Sequence, residues 1–295
     1  MVSLETTSLS TKKRMMKNIV FYFFLSLYII TLTGCNSITN TKEAPDSSEV
    51  LDQDEDQINN FIGTLKILSL NTWQQGTSVE GGYEALVRII VASEADVIML
   101  SEIRNYNNTI FTDQIVQSLK DRGIKFYSFN SEKSPVILSK FPINSTPSIN
   151  SNALAKCIIE LSPTIKAAIY AAHLDYTHYA CYLPRGYDGI TWKKLESPVL
   201  EVDKILDQNK ASQRDEAIEV FIKDALIEKA QENLVFLAGD FNEPSHLDWG
   251  EASKNKFDHN GTVVPWNNSI TLEENGFVDS YREKYPDPVT YPGIT

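Results

Sequence analysis

Between Leu65 and Arg282 the chain alternates short apolar runs with polar breaks. Leu65 to Leu70, reading LKILSL, alternates as a strand does and runs into Asn71-Thr72-Trp73. Ala95 to Leu100 is a second strand pattern and ends in Ser101-Glu102-Ile103-Arg104. Lys125 to Asn130 and Ser134 to Ser139 read as a strand pair around a polar turn. Strands follow at Ala155 to Leu161 and Ile165 to Ala172, divided by Ser162-Pro163, and the second ends in His173-Leu174-Asp175. The last strong strand pattern, Leu234 to Asn242, reads LVFLAGDFN. Helical spacing marks Tyr83 to Glu94, behind Gly81-Gly82, through Ala85, Leu86, Ile89, Ile90 and Ala92. Thr112 to Arg122 also reads as a helix, and Ala211 to Glu232 is amphipathic with Ile218, Phe221, Ile222, Ala225 and Leu226 on one face. A short helix is expected near Ser269 to Glu274. Many strands with few intervening helices predict an α/β fold of two packed mixed sheets with helices outside, in preference to a doubly wound parallel sheet.

The strand ends carry the chemistry. In LVFLAGDFN the expectation is a buried strand in which Gly239 lets the backbone approach a ligand, while Asp240 and Asn242 project from one face. A strand running into an Asx-type turn is the competing interpretation. Glu102 closes a buried strand, a poor structural choice unless something cationic waits there. Asn71, Glu102, His173 and the Asp240/Asn242 pair thus end four separate strands, and this oxygen-rich set, without a Cys/His cluster, suits Mg²⁺ or Mn²⁺ and disfavours structural zinc. Arg104 and Asp175 stand close enough in sequence to support that set, whereas His178 and His246 read as loop residues. The irregular stretch from Tyr176 to Pro198 is rich in Tyr and Trp and includes Arg185, Lys193 and Lys194; an aromatic loop of that length is expected to be packed and functional.

The N-terminus adds an address. Lys12, Lys13, Arg14 and Lys17 precede the apolar run Ile19 to Leu32, which is short for a membrane span and suits a signal-peptide core. It ends in Leu32-Thr33-Gly34-Cys35, which resembles a bacterial lipobox, so Cys35 is the expected lipidation site. Residues 1–35 are therefore expected to be a lipoprotein signal peptide, 36–60 a disordered polar tether, and 61–295 the folded domain. That order places the domain outside the cytoplasm, lipid-anchored to a bacterial cell envelope. With 295 residues and a net charge of −12, the chain has no overall attraction for nucleic acid, and nothing in it indicates an oligomer. Cys157 and Cys181 are expected as two thiols in preference to a disulfide.

The segments LSLNTW, DVIMLSEI, AAHLD, LAGDFN and GFVDSYRE, in that order over Leu65 to Arg282, resemble the endonuclease/exonuclease/phosphatase superfamily, which includes pancreatic-type DNases, apurinic endonucleases, bacterial sphingomyelinases and inositol polyphosphate phosphatases. The resemblance implies a four-layered α/β sandwich with its active site where the two sheets open. It implies Asn71 and Glu102 as the Mg²⁺ site, with Glu102 the direct ligand, and His173 as a hydrogen-bond donor to the scissile phosphate. It further implies Asp240 orienting or deprotonating the attacking water, and Asn242 binding the phosphate or the metal's water shell; Asp279 fits a structural role near the site. Two departures stand out. Ser101 occupies a position where the family usually has Gln, and the family's closing Arg-Ile-Asp-Tyr-like strand and Ser-Asp-His ending do not precede Tyr291-Pro292-Gly293-Ile294-Thr295. The expectation from the second is a C-terminal truncation that removes the last strands and leaves this chain without turnover. The implied function is metal-dependent hydrolysis of a phosphoester, with nucleic acid, a phospholipid head group and small phosphoesters as substrate classes and nucleic acid disfavoured by charge. The alternative is a non-catalytic, surface-anchored binding protein on the same scaffold.

Overall fold

The computed structural model describes residues 28–31, 63–129, 134–145, 147, 149 and 151–293. Cys35, the tether and all of the signal segment except Tyr28–Thr31 lie outside them.

Two mixed sheets form the centre. The first has the order β1-β2-β3-β5-β4, from β1 (Tyr28–Thr31), β2 (Lys66–Asn71), β3 (Val97–Ser101), β4 (Tyr127–Phe129) and β5 (Val136–Ser139). Within it β2 and β3 are parallel, and the other pairings are antiparallel. The second has the order β6-β7-β8-β9, from β6 (Ile143–Ser145), β7 (Leu154–Ser162), β8 (Ile165–His173) and β9 (Leu234–Asp240). Only β8 and β9 run parallel in it. Each sheet therefore holds one parallel pair.

Three apolar layers follow from the two-residue period of a strand. Ile67, Val97, Met99 and Ile137 of the first sheet meet Cys157, Ile159, Ala167, Ile169 and Ala171 of the second, forming the core between them. The opposite face of the first sheet, Leu68, Leu70, Ile98, Leu100 and Leu138, is covered by α1 (Gly82–Ser93) and α2 (Phe111–Lys120) through Leu86, Val87, Ile90, Phe111, Ile115 and Leu119. Ile158, Ala168, Tyr170 and Ala172 on the outer face of the second sheet receive Ile218, Phe221, Ile222 and Ala225 of α4 (Arg214–Ala230). The fold is the four-layered α/β sandwich read from the sequence. Strands buried on both faces explain why their sequences are almost continuously apolar.

The structure departs from expectation at several elements. The strand Leu234 to Asp240 is an edge strand whose residues are mostly half-buried, not a fully buried one, because it has a ladder neighbour on one side only. Leu226 is 48% exposed and stays off the packed face of α4. A helix absent from the sequence expectation, α3 (Val202–Lys210), precedes α4, and its Ile205 joins Ala180, Cys181, Leu183, Trp249, Val264 and Trp266 in a fourth cluster. The two long loops thus have a core of their own. The remaining helices are α5 (Asn267–Glu274) and α6 (Ser280–Lys284). Cys157 and Cys181 are both free and buried, as expected.

Candidate active site

The parity of the strands brings the site together. On β2, β3, β8 and β9 the residues facing the other sheet include Ile67, Val97 with Met99, Ala167 through Ala171 at alternate positions, and Phe236 with Ala238. Counting on by twos reaches Asn71, Ser101, His173 and Asp240, each the last residue of its strand. In the parallel ladders Asn71 lies opposite Ser101 and His173 opposite Asp240. Four polar positions therefore meet at one open end of the inter-sheet core.

Their contacts cross between the sheets. Asn71 Nδ2 donates to Asp240 Oδ2 at 2.8 Å and to Glu102 Oε1 at 3.2 Å, so one carboxamide bridges two carboxylates. Asn71 Oδ1 is turned back to accept from the Trp73 amide at 2.8 Å, and Glu102 Oε2 accepts from the Gln74 amide at 3.0 Å. Left-handed backbone is concentrated here: φ is 43° at Trp73, 57° at Gln74, 63° at Gln75, 61° at Glu102 and 51° at Asn242. Non-glycine residues hold that conformation at a cost of order 1 kcal/mol or more each, and such strain gathers where side chains must be aimed.

Gly239 has a job beyond the one expected. A Cβ there would lie 2.0 Å from the Ala172 carbonyl oxygen, so the glycine permits close approach of β9 to β8. Asp240 and Asn242 do not simply share an extended face either. The chain turns at Asn242, whose amide donates to Asp240 Oδ1 at 3.2 Å while its Nδ2 donates to the Leu174 carbonyl at 2.9 Å. The Asx turn and the polar site coexist, because Asp240 uses one oxygen for each. His173 is half-buried, and its backbone is held by the Ala153 carbonyl; among the described residues its ring makes no hydrogen bond.

The other candidates are placed around this centre. Arg104 is exposed. Asp175 receives the Thr177 amide and hydroxyl, each at 2.8 Å, and the Gln213 amide at 3.2 Å. Burial raises its carboxyl, but those donors and Arg214 outweigh it and hold the group below its ordinary value. Asp279 caps α6 by accepting from the Tyr281 and Arg282 amides. His246 contacts Ser269 and Glu273, each at 2.9 Å, and belongs to the loop packing as expected. Ser101, the departure from the family pattern, has a buried hydroxyl without a hydrogen-bond partner among the described residues.

A supporting network was not visible in the sequence. Arg214, fully buried at the start of α4, donates through Nη1 to the Asp175 and Thr177 carbonyls at 2.7 and 3.0 Å. Its Nη2 reaches the His178 carbonyl at 3.1 Å and Asn209 Oδ1 at 2.7 Å. Its Nε lies 3.7 Å from Glu243, which also accepts from Asn209 Nδ2 at 2.6 Å and the Asn268 amide at 2.8 Å. Burial pushes the Glu243 carboxyl up, with these donors opposing it. This cluster ties the loop after β8 to the loop after β9, and so fixes His173 and Asp240 relative to each other. The one available signal was a pair of charges beside apolar elements, which is too common to single out.

The donor set fits a divalent ion of the hard type. Glu102 and Asp240 come from different sheets, share one amide, and have no cationic side chain among their hydrogen-bond partners. Among the described residues no three His, Cys, Asp or Glu side chains converge.

The sequence profile of the Endonuclease/Exonuclease/phosphatase family matches residues 68–292. An uncharacterized protein of Caenorhabditis elegans is 27% identical over 231 residues, which is 78% of this chain and 69% of that protein. Among solved structures, an AP endonuclease from Archaeoglobus fulgidus is similar at 14% identity, over 69% of each chain, with a TM-score of 0.38. A humanized D. rerio TDP2 is similar at 18% identity, over 68% of each chain, with a TM-score of 0.36.

Proposed function

The chain belongs to the Endonuclease/Exonuclease/phosphatase family, whose members hydrolyse phosphoesters, and from that premise we propose a Mg²⁺-dependent phosphodiesterase (Mn²⁺ being the alternative ion) anchored at the outer side of a bacterial membrane through Cys35. One observation carries the metal dependence: carboxylates from both sheets, Glu102 and Asp240, meet on the Asn71 amide at the open end of the sandwich. Glu102 would be the direct ligand of the ion; Asn71, expected to share in holding it, has its Oδ1 turned to the Trp73 amide and its Nδ2 on both carboxylates, so it would act by positioning Glu102 and Asp240. When bound, the ion neutralises charge on the phosphoryl oxygens and on the carboxylates around it. Asp240, with one oxygen directed at Asn71 and the other at the turn, is fixed in position to orient a water and take its proton. His173, whose ring makes no hydrogen bond among the described residues, would supply a donor to a phosphoryl oxygen from the facing side. Asn242 braces Leu174 and thereby the segment after His173 through its Nδ2, and its side-chain oxygen, an acceptor, would take a hydrogen bond from a water of the ion's shell.

The substrate class we favour is a small phosphodiester or a lipid head group. The chain carries −12 net charge, and a DNA-groove binder depends on clustered cations. A panel of bis-p-nitrophenyl phosphate, sphingomyelin vesicles and plasmid DNA, each with and without Mg²⁺, tests this. Metal-dependent cleavage of either of the first two supports it, and cleavage of DNA alone overturns the substrate preference. The second reading, a binding protein on this scaffold, draws on the histidines. His246 is paired with Glu273, His259 is stacked on Trp249 at 3.7 Å and His178 contacts the Thr177 hydroxyl in the loop, which leaves His173 as the imidazole on these strand ends. Absence of Mg²⁺ binding by calorimetry would favour it.

A further inference from the structure

The loop after β8 contains a small hairpin that has no part in the chemistry above. Tyr187 bridges Lys194, the Asp188 amide donates to the Lys193 carbonyl at 2.8 Å, and the Trp192 amide returns to the Asp188 carbonyl at 2.9 Å. Asp188 Oδ1 ties the tip by accepting from the Ile190 amide at 3.1 Å, the Thr191 amide at 2.6 Å and the Thr191 hydroxyl at 2.7 Å. The base is fixed as well: the Tyr179 amide donates to the Gly189 carbonyl at 2.7 Å, and a Cβ on Gly189 would lie 2.7 Å from the Tyr179 carbonyl oxygen. The hairpin belongs to the loop that leaves β8 at His173, and Arg214 holds the start of that loop through the Asp175, Thr177 and His178 carbonyls.

This rigid turn presents apolar groups to solvent. Ile190 is 58% exposed and Trp192 55%, although Trp192 holds a left-handed φ of 60° that a bulky residue rarely adopts. The Tyr182 ring meets Trp192 edge-on at 6.4 Å and Tyr187 at a tilt at 6.1 Å. Lys193 and Lys194 follow directly and are exposed. The nearest acid, Asp188, is committed to the turn, and Glu196 lies past the bridge. An indole, an aliphatic tip and two flexible ammonium groups suit the boundary between lipid head groups and acyl chains: the indole settles at that depth and the lysines reach up to anionic head groups. In a chain of net charge −12 this is a local reversal of sign, and it complements an anionic surface that the remainder of the chain would repel.

We propose that the hairpin Tyr187 to Lys194 docks the candidate site onto a bilayer containing anionic lipid, with Ile190 and Trp192 inserted. This rests on the membrane-surface location proposed above, and the test separates the two. The full chain is added to phosphatidylcholine/phosphatidylglycerol vesicles with brominated acyl chains, and tryptophan emission is recorded. Trp249 and Trp266 are buried at 1% and 0% exposure, so the quenchable signal belongs to Trp192 and the half-buried Trp73, and Trp192→Phe identifies which. The expected result is a blue shift and quenching that both disappear in Trp192→Phe. Ile190→Ser keeps the reporter and reduces the quenching. Lys193→Gln and Lys194→Gln each lower docking about fivefold on anionic vesicles and leave it unchanged on phosphatidylcholine alone. Unquenched Trp192 in a chain that sediments with the vesicles overturns the proposal, as it would if the hairpin served a protein partner. Cys35→Ser addresses the anchor by itself, and hydrolysis of soluble bis-p-nitrophenyl phosphate reports catalysis without reference to either.

Discussion

At the scale of single residues, the site is a problem of charge held in place. Glu102 and Asp240 share the Asn71 amide, and each also takes a backbone N–H, so both carboxylates are positioned before any cation arrives. Asp240→Asn removes one charge and also faces an NH2 to one of the two donors its oxygens accept, Asn71 Nδ2 or the Asn242 amide. The expected outcome is a chain that keeps its fold without Mg²⁺, at a cost of about 1 kcal/mol or less, and loses at least about tenfold in Mg²⁺ affinity, read by calorimetry and by the Mg²⁺-induced shift in Tm. His259 makes a second prediction. It is 3% exposed against Trp249, and burial, with Arg185 adding, pushes its pKa down from 6.5 to about 4. Its neutral form is the one the fold accepts, so its stabilisation is complete above pH 6.5 and is lost as the pH falls towards about 4. The loss is roughly 3 kcal/mol at most. Urea midpoints measured across that interval should fall in the wild type and fall less in His259→Phe.

Whole elements decide whether those residues meet. The site needs two parallel pairs, β2 with β3 and β8 with β9, whose C-terminal ends open towards the same side. The contact between β8 and β9 depends on Gly239. Replacing it with Ala puts a methyl 2.0 Å from the Ala172 carbonyl oxygen, and backbone on both sides leaves nothing flexible to yield. Gly239→Ala should therefore cost at least about 2 kcal/mol in chemical denaturation and displace Asp240 from Asn71, weakening Mg²⁺ binding at least as much as Asp240→Asn does. Most elements were legible: the strands and the helices covering them have the two- and 3.6-residue periods that burial on a sandwich imposes. The helix Val202–Lys210 was not, since only Ile205 and Asn209 among its residues are buried and its apolar signal is correspondingly thin.

Over the whole molecule, three apolar layers and the loop core make the sandwich, and the thiols report on its integrity. Cys157 lies in the layer between the sheets and Cys181 in the loop core. Burial pushes the first thiol up to about 12 and the second to about 11, so neither offers thiolate or access at neutral pH. Both should resist alkylation in the native protein and react once urea unfolds it. A Cys181 that labels well before Cys157 would show that the loop core opens independently of the sandwich.

The sequence by itself determined the two-sheet architecture and the polar strand ends, because strand parity and apolar runs are local properties written residue by residue, and the resemblance of its motifs implied the family. It named Asn71, Glu102, His173 and Asp240 without knowing that Asn71 would bridge two carboxylates from opposite sheets. Tertiary structure alone decided the other features. Gly239 serves strand packing because Ala172 passes beside it, and Asn242 turns back to Leu174 because the loop after β8 lies within its reach. Arg214, Asn209 and Glu243 form one buried network although up to 34 residues separate them along the chain. The hairpin's exposure was equally hidden, since an aromatic loop reads the same whether its rings fold inward, as Tyr182 partly does, or stand outward, as Trp192 does. The reason is common to all of them: period and composition register which residues avoid water, while the partner of a polar group is set by whatever distant segment the packed layers bring within about 3 Å.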